Sequence, residues 1–210
     1  MTKSSESTEQ STIDVLAENG RFDQVSIALH WLTVLLIIVQ FSSVWLLETV
    51  DEKSSFAKLL LDMHRNSGVL VWVIGLARLV WRHNFAYLPP FPPSMPRLQQ
   101  TIAKANEYSL YILLLLQPIT GLGRVLLRGH PFDLFFWEVP VLLENDPIRH
   151  LFVEAHEVGA KLLLALIGLH ASAALFHRLV LRDGVLQRML PWGSRSLHEA
   201  DAKQTARPAE

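Results

Sequence analysis

Residues His156 to His170 read HEVGAKLLLALIGLH, an apolar stretch with a histidine at each end. Fourteen residues of helix leave the two side chains about 40° out of line and about 21 Å apart along the axis. One helix can therefore present imidazole on one face at two depths. Two more histidines, His30 and His64, lie inside or at the edge of other apolar stretches. Ionisable side chains within apolar spans are costly unless they have a task or a partner. Four of them, matched by depth, point to two bis-histidine haem sites stacked across a membrane.

The chain has 210 residues, 50% of them hydrophobic and 19% charged, with the charges falling mainly between the apolar runs. This is the composition of a small polytopic membrane protein. A hydrocarbon core takes about 20 mostly apolar residues per crossing. Val25–Leu47, Tyr108–Leu127 and His156–Leu181 meet that requirement. Leu59–Trp81 is weaker, because Asp62, His64 and Arg65 open it and Arg78 falls near its end, so a partly buried amphipathic helix competes with a fourth span. The expected fold is all-α, an integral membrane four-helix bundle.

The pattern divides the chain into three regions. Residues 1–20 are polar and lack the basic start and apolar core of a secretory signal, residues 21–191 form the transmembrane domain, and residues 192–210 form a second polar tail. Both tails are expected to be disordered and cytoplasmic. If the helices alternate in direction, twelve of the nineteen Lys and Arg side chains fall on the side of the termini. Lys53, Lys58, Arg65, Arg124, Arg128 and Arg149 fall on the other, so the positive-inside rule places both termini in the cytoplasm. The stretch from Arg82 to Lys104 holds Pro89, Pro90, Pro92, Pro93 and Pro96 and reads as an extended cytoplasmic linker. Arg128–Val153, with Phe132, Phe135, Phe136 and Trp137, reads as an outer interfacial segment. Pro118, near Gly121 and Gly123, predicts a local kink in the third helix. A net charge of −1 argues against nucleic acid as a partner.

In this topology His64 pairs with His156 at an outer haem and His30 with His170 at an inner one. Two imidazoles per iron leave no open position and suit one-electron transfer. With no cysteine in the chain, each haem b is held without a covalent bond. A lone intramembrane histidine bonds a neighbouring helix or lines a proton path as readily as it ligates a metal, and it is the paired depths that favour ligation. His177, two turns beyond His170, competes for the inner role, although a solvated or haem-edge position beside Arg178 suits it as well. His83, His130, His150 and His198 read as ordinary loop or tail residues. Arg21, Arg78 and Arg82 could pair with haem propionates, or could serve only to set topology. Gly68, Gly75, Gly159 and Gly168 allow either a macrocycle or a neighbouring helix to come close.

The strings Arg21-Phe22, Ala28-Leu29-His30-Trp31-Leu32 and His64-Arg65-Asn66-Ser67-Gly68, with Ala77-Arg78-Leu79 and Trp81-Arg82, resemble those of the bacterial cytochrome b-561 family. Leu110-Tyr111 to Pro118 and Gly121 are similar to its third helix. His156-Glu157, Gly168-Leu169-His170-Ala171, Arg182-Asp183-Gly184 and Arg188-Met189 are similar to its fourth helix and the tail beyond it. The resemblance runs from about Arg21 to Pro191. It implies a di-haem inner-membrane cytochrome with His30, His64, His156 and His170 as ligands. Many relatives have a histidine early in the third helix where this chain has Glu107, so no ligand role falls there.

The resemblance also implies exchange of electrons with the quinone pool. The leading expectation is a multi-pass oxidoreductase of the bacterial inner membrane that moves single electrons between an outer donor, with superoxide as one form, and ubiquinone. The outer Lys and Arg residues would then form a cationic funnel, although nearby carboxylates make solvated loop charge an equal reading. The alternative is a quinone-reactive relay subunit of a partner dehydrogenase or hydrogenase, docked on the outer aromatic segment. A haem-free transporter with a histidine proton path is the third class. Quinone pockets have no compact motif; Gln40, Gln117 and Tyr111 could contribute polar groups, with packing as the competing role.

Overall fold

The structure, a computed structural model, describes residues 20–92, 95–141 and 143–191. The two expected tails, apart from Gly20, lie outside the described residues, as do Pro93 and His198. Among the described residues four long helices dominate: α1 (Gln24–Leu47), α2 (Ser55–Asn84), α3 (Arg97–Leu126) and α4 (Asp146–Phe176). α4 continues as a π-helical turn, His177–Leu181, and beyond it lies a short 3-10 helix, Leu186–Met189.

Each long helix begins where its sequence supplies a stop for the preceding chain or a cap for the first turn. Asp23 caps α1 through the Ser26 amide at 2.9 Å, and Ser54 caps α2 through the Ala57 amide at 3.0 Å. Asn145 caps α4 through the Ile148 amide at 3.1 Å, with Pro147 in the first turn. α3 starts directly after Pro96. Arg182 ends the last turn in the left-handed conformation, and Gly184, at φ +78°, turns the chain back.

These starts correct two expectations. α3 begins eleven residues before Tyr108, so the linker expected over Arg82–Lys104 shrinks to residues 85–96. α4 begins at Asp146 rather than His156, so the last eight residues of the expected interfacial segment are helix. Both helices run on beyond the apolar stretch because capping and local hydrogen bonds, rather than lipid, decide where a helix starts.

Helices adjacent in sequence are adjacent in space: α1 packs on α2, α2 on α3 and α3 on α4. Gln24–Leu47, Arg97–Leu126 and Asp146–Leu181 are long and apolar enough to cross a membrane. α2 has the length, at 30 residues, but carries charge that it settles internally. Arg65 pairs with Asp62 at 3.4 Å, Arg78 lies over the Tyr111 ring at 5.3 Å, and Arg82 pairs with Glu107 at 2.9 Å. Large apolar side chains such as Leu35, Ile38, Ile112, Leu162 and Leu175 point outward. In water that belt would be a liability; in a bilayer it is the solvent-matched surface.

The packed centre is Val71, Leu114 and Leu163, with Leu36, Ile37, Leu110, Leu113 and Ile167 around it. Val71 stands seven residues after His64, Ile37 seven after His30, and Leu163 seven from both His156 and His170. Seven residues are about 10.5 Å of helix. The apolar centre is therefore a layer midway between the two histidine levels.

Between α3 and α4, β1 (Phe132–Leu134) and β2 (Trp137–Val139) form a small antiparallel hairpin. Phe135, in its turn, sits at φ +54°, a conformation that favours glycine or asparagine. Asn66 of α2 accepts a hydrogen bond from the Phe135 amide at 2.8 Å, and Lys58 pairs with Asp133 at 3.0 Å. These contacts seat the hairpin on the N-terminal half of α2, while the tip residue Phe136 is 99% exposed.

Candidate functional site

The structure brings the four intramembrane histidines together as two pairs. His64 of α2 faces His156 of α4 with 6.2 Å between ring centroids and 85° between ring planes. His30 of α1 faces His170 of α4 at 6.3 Å and 59°. α4 thus contributes one imidazole to each level, as the spacing of His156 and His170 predicts. His177 does not stand opposite His30.

These separations carry chemical information. An imidazole nitrogen binds a first-row metal at about 2.0 Å and lies about 1.2 Å from its ring centre, so a metal in line between two imidazoles holds their centroids about 6.4 Å apart. Both pairs fit that value. Among the described residues no group of three or more His, Asp or Glu side chains gathers around a metal position. A pair of imidazoles is too few for a tetrahedral zinc site, but it suits an iron that brings four nitrogen ligands in a macrocycle. The residues present therefore fit b-type haem.

Backbone carbonyls orient the His64–His156 pair, the one that the sequence reading expects on the outer side. His64 Nδ1 donates to the Gln40 carbonyl at 3.3 Å, and His156 Nδ1 donates to the Gln117 carbonyl at 3.1 Å. A carbonyl only accepts, so each Nδ1 carries the proton and each Nε2 keeps its lone pair for the metal position. Gly121 lies under the His156 ring: a Cβ there would meet Cε1 at 3.0 Å. Gly68 and Gly159 lie against Gln40 and Gln117 rather than an imidazole, and nothing lies within 4 Å of a Cβ at Gly168. Gln40 and Gln117, weighed between a quinone pocket and packing, contact the backbone and Nδ1 of His64 and His156.

Arg78 is within electrostatic reach of both His30 and His170. Arg82, by contrast, is committed to Glu107. Arg21 donates to the Leu190 carbonyl at 2.6 Å, and Trp31 donates to the Met189 carbonyl at 2.8 Å. The chain after α4 is thus clasped against the start of α1. Tyr111 is buried beside Arg78.

His177 departs from the solvated position expected of it. It is 5% exposed, its Nδ1 lies 2.5 Å from Asp183 Oδ2, and its Nε2 lies 3.0 Å from Gln99 Nε2. Burial works to raise the Asp183 carboxyl, yet the hydrogen bond from His177, the Val185 amide and the neighbouring imidazole hold it below the ordinary carboxylate range. The π-helical turn begins at His177, and such turns are frequent at functional sites. Asp183, only six residues on, was a visible cue; Gln99, 78 residues away and on another helix, was not.

The outer charges also separate. Lys58 pairs with Asp133 and Arg149 pairs with Asp146, so neither contributes free positive charge. Arg124 acts on both His64 and His156, and Arg65 lies within electrostatic reach of Arg124 and Arg128. Of these, Arg65 is paired with Asp62 and Arg124 stands beside both imidazoles.

The family model for prokaryotic cytochrome b561 matches residues 21–192. The chain belongs to the prokaryotic cytochrome b561 family. As a member it is a membrane electron-transfer protein, and b-type haem is the group its family binds. Cytochrome b561 homolog 1 of Escherichia coli (strain K12) is 32% identical over 173 residues, covering 82% of this chain and 98% of that protein. A probable superoxide oxidase CybB of Yersinia pestis is 28% identical over 175 residues, covering 81% of this cytochrome and 96% of that protein. Cytochrome b561 homolog 2 of Escherichia coli (strain K12) is 28% identical over 174 residues, covering 81% of this chain and 91% of that protein.

Proposed function

We propose that this cytochrome is a free-standing oxidoreductase of the bacterial inner membrane, with both termini cytoplasmic, that passes single electrons from an outer donor to ubiquinone. His64 and His156 ligate an outer haem b, and His30 and His170 an inner one. The observation that carries this reading is the pair of imidazole separations, both matching an in-line metal, at two levels of one helix. When bound, the two haems supply reversible one-electron transfer.

The chain's own residues supply the rest. Arg124 and Arg128 raise the local concentration of a small anion at the outer level, Arg65 beside them being paired with Asp62, which favours superoxide as the donor. Two superoxide anions each give up one electron and leave as dioxygen; one quinone takes two electrons and two protons and leaves as quinol. His177, with Asp183 and Gln99, forms a buried polar cluster two turns beyond His170, where a proton can be held for the quinone. Arg78 balances propionate charge at the inner level.

A relay role in a larger complex is the second reading, and the exposed tip of the outer hairpin, at Phe136 and Trp137, favours it as a place for a partner to dock. One experiment separates the two: reduced-minus-oxidised spectra and haem per chain on the purified protein, then addition of superoxide and a ubiquinone analogue. Two low-spin haems with superoxide-driven quinol formation support the enzyme. Two haems without that activity shift the weight to the relay, and a preparation without haem ends both readings.

A further inference from the structure

The outer histidines are held by the same device on two different helices. On α1, His64 Nδ1 meets the Gln40 carbonyl at 3.3 Å and the Ser43 hydroxyl at 3.4 Å, while the Gln40 amide donates to the His64 carbonyl at 2.7 Å. On α3, His156 Nδ1 meets the Gln117 carbonyl and the Thr120 hydroxyl at 3.1 Å each, while the Gln117 amide donates to the His156 carbonyl at 3.1 Å. In both, the hydroxyl residue stands three positions after the glutamine. Its own proton goes to a helix carbonyl, Ser43 to Gln40 at 2.8 Å and Thr120 to Gln117 at 2.9 Å, so its oxygen is left to accept. A glycine on the histidine's helix admits each glutamine: a Cβ at Gly68 would lie 3.3 Å from Gln40 Nε2, and one at Gly159 would lie 3.0 Å from Gln117 Oε1.

The inner level is built differently. His30 Nδ1 is buried without a hydrogen-bond partner among the described residues, and the Arg78 guanidinium acts on both inner imidazoles. Donation from Nδ1 raises the basicity of an imidazole ligand and pushes electron density toward its metal. That favours oxidised iron at the outer level, whereas His30, without such donation, leaves iron at the inner level easier to reduce. Arginines stand beside both levels, Arg124 at the outer and Arg78 at the inner, so the hydrogen bonds and not the cations set the two apart.

We propose that the two clamps, Gln40 with Ser43 and Gln117 with Thr120, are positioning elements that make the outer level the lower in potential, so that an electron moves downhill from outer to inner. The inference rests on the proposed ligation of one haem by each pair. One electron leaves the outer level and arrives at the inner one; no bond is made or broken, and no proton moves with it.

The test is a potentiometric titration of the detergent-purified holoprotein, monitored in the visible spectrum, for wild type, Thr120→Val, Thr120→Ser and Ser43→Ala. The expected result is two haems of different potential. Thr120→Val raises the lower midpoint, so that at a fixed ambient potential the reduced-to-oxidised ratio of that haem grows about threefold, the effect of losing one leg of a shared hydrogen bond. The higher midpoint stays in place, and Thr120→Ser behaves as wild type. Ser43→Ala, on the opposite helix, moves the same haem in the same direction and repeats the test independently. Movement of the higher-potential haem, equal movement of both, or no movement in either variant overturns the inference while the two haems stand. A wild-type preparation with fewer than two haems overturns the ligation reading and this inference together.

Discussion

Arg82 and Glu107 form a two-point ion pair, Nη1 to Oε1 and Nη2 to Oε2, each at 2.9 Å. The pair ties the end of α2 to α3 at a position where the sequence resemblance leads one to expect a histidine in many relatives. Forked geometry makes such a pair stronger than a single contact, while partial exposure limits its worth to about 1 kcal/mol. A double-mutant cycle with Arg82→Met and Glu107→Gln should give a coupling of about that size in thermal unfolding. Haem content should be unchanged in all three variants, and loss of haem in Glu107→Gln would mean that Glu107 does more than hold two helices together.

His64→Ala and His156→Ala should each remove the same one haem per chain, and His30→Ala and His170→Ala should each remove the other. His177→Ala should keep both, because its ring is committed to Asp183 and Gln99. Haem counted by pyridine haemochrome, with the reduced spectrum showing which component is lost, checks all five.

Gly123 is a site of close approach rather than of unusual backbone. A Cβ there would lie 2.5 Å from Phe152 Cδ1 and 2.7 Å from Cε1, so α3 and α4 meet at that point without room for a methyl group. Gly123→Ala should cost about 1–3 kcal/mol by overpacking. Combining it with Phe152→Leu should recover part of the loss, as read from thermal unfolding in detergent.

The Asp183 carboxyl is held below its ordinary range by His177. A group with a depressed folded pKa contributes stability that is present above the unfolded value and lost as pH falls through the folded one. The margin of wild type over Asp183→Asn should thus be full at neutral pH and shrink below about pH 4. Unfolding midpoints of the two proteins measured from pH 7 downward test it; a margin that grew on acidification would contradict the assignment.

The sequence pattern placed α1 to within a residue of its observed span, because its apolar run and its cap coincide at Asp23. It misplaced the starts of α3 and α4 by about ten residues, because hydropathy marks where lipid begins while Pro96 and Asn145 mark where helix begins. The pairing of His64 with His156 and of His30 with His170 was legible because both partners on α4 lie on one stripe at a known rise. Burial of His177 was not, since it depends on Gln99 from a helix that hydropathy started too late. The hairpin was hidden for another reason: Phe135 occupies a turn position that sequence rules reserve for glycine or asparagine, and it is the hydrogen bond from its amide to Asn66, with the Lys58–Asp133 pair, that holds it.

The layer of Val71, Leu114 and Leu163, with Leu36, Ile37, Leu110, Leu113 and Ile167 packed against it, is an apolar barrier between the two histidine levels. On the proposed two-haem arrangement, an electron that crosses this apolar layer carries its charge from one histidine level to the other. On the proposed orientation each transit moves negative charge toward the cytoplasm, against a membrane voltage that is negative inside. Crossing the whole field opposes such transfer by about 2.3 kcal/mol per 100 mV, and the distance between the levels is a large share of the bilayer. The cytochrome's turnover should then depend on how strongly the cell is energised, with collapse of the voltage by an ionophore speeding the transfer.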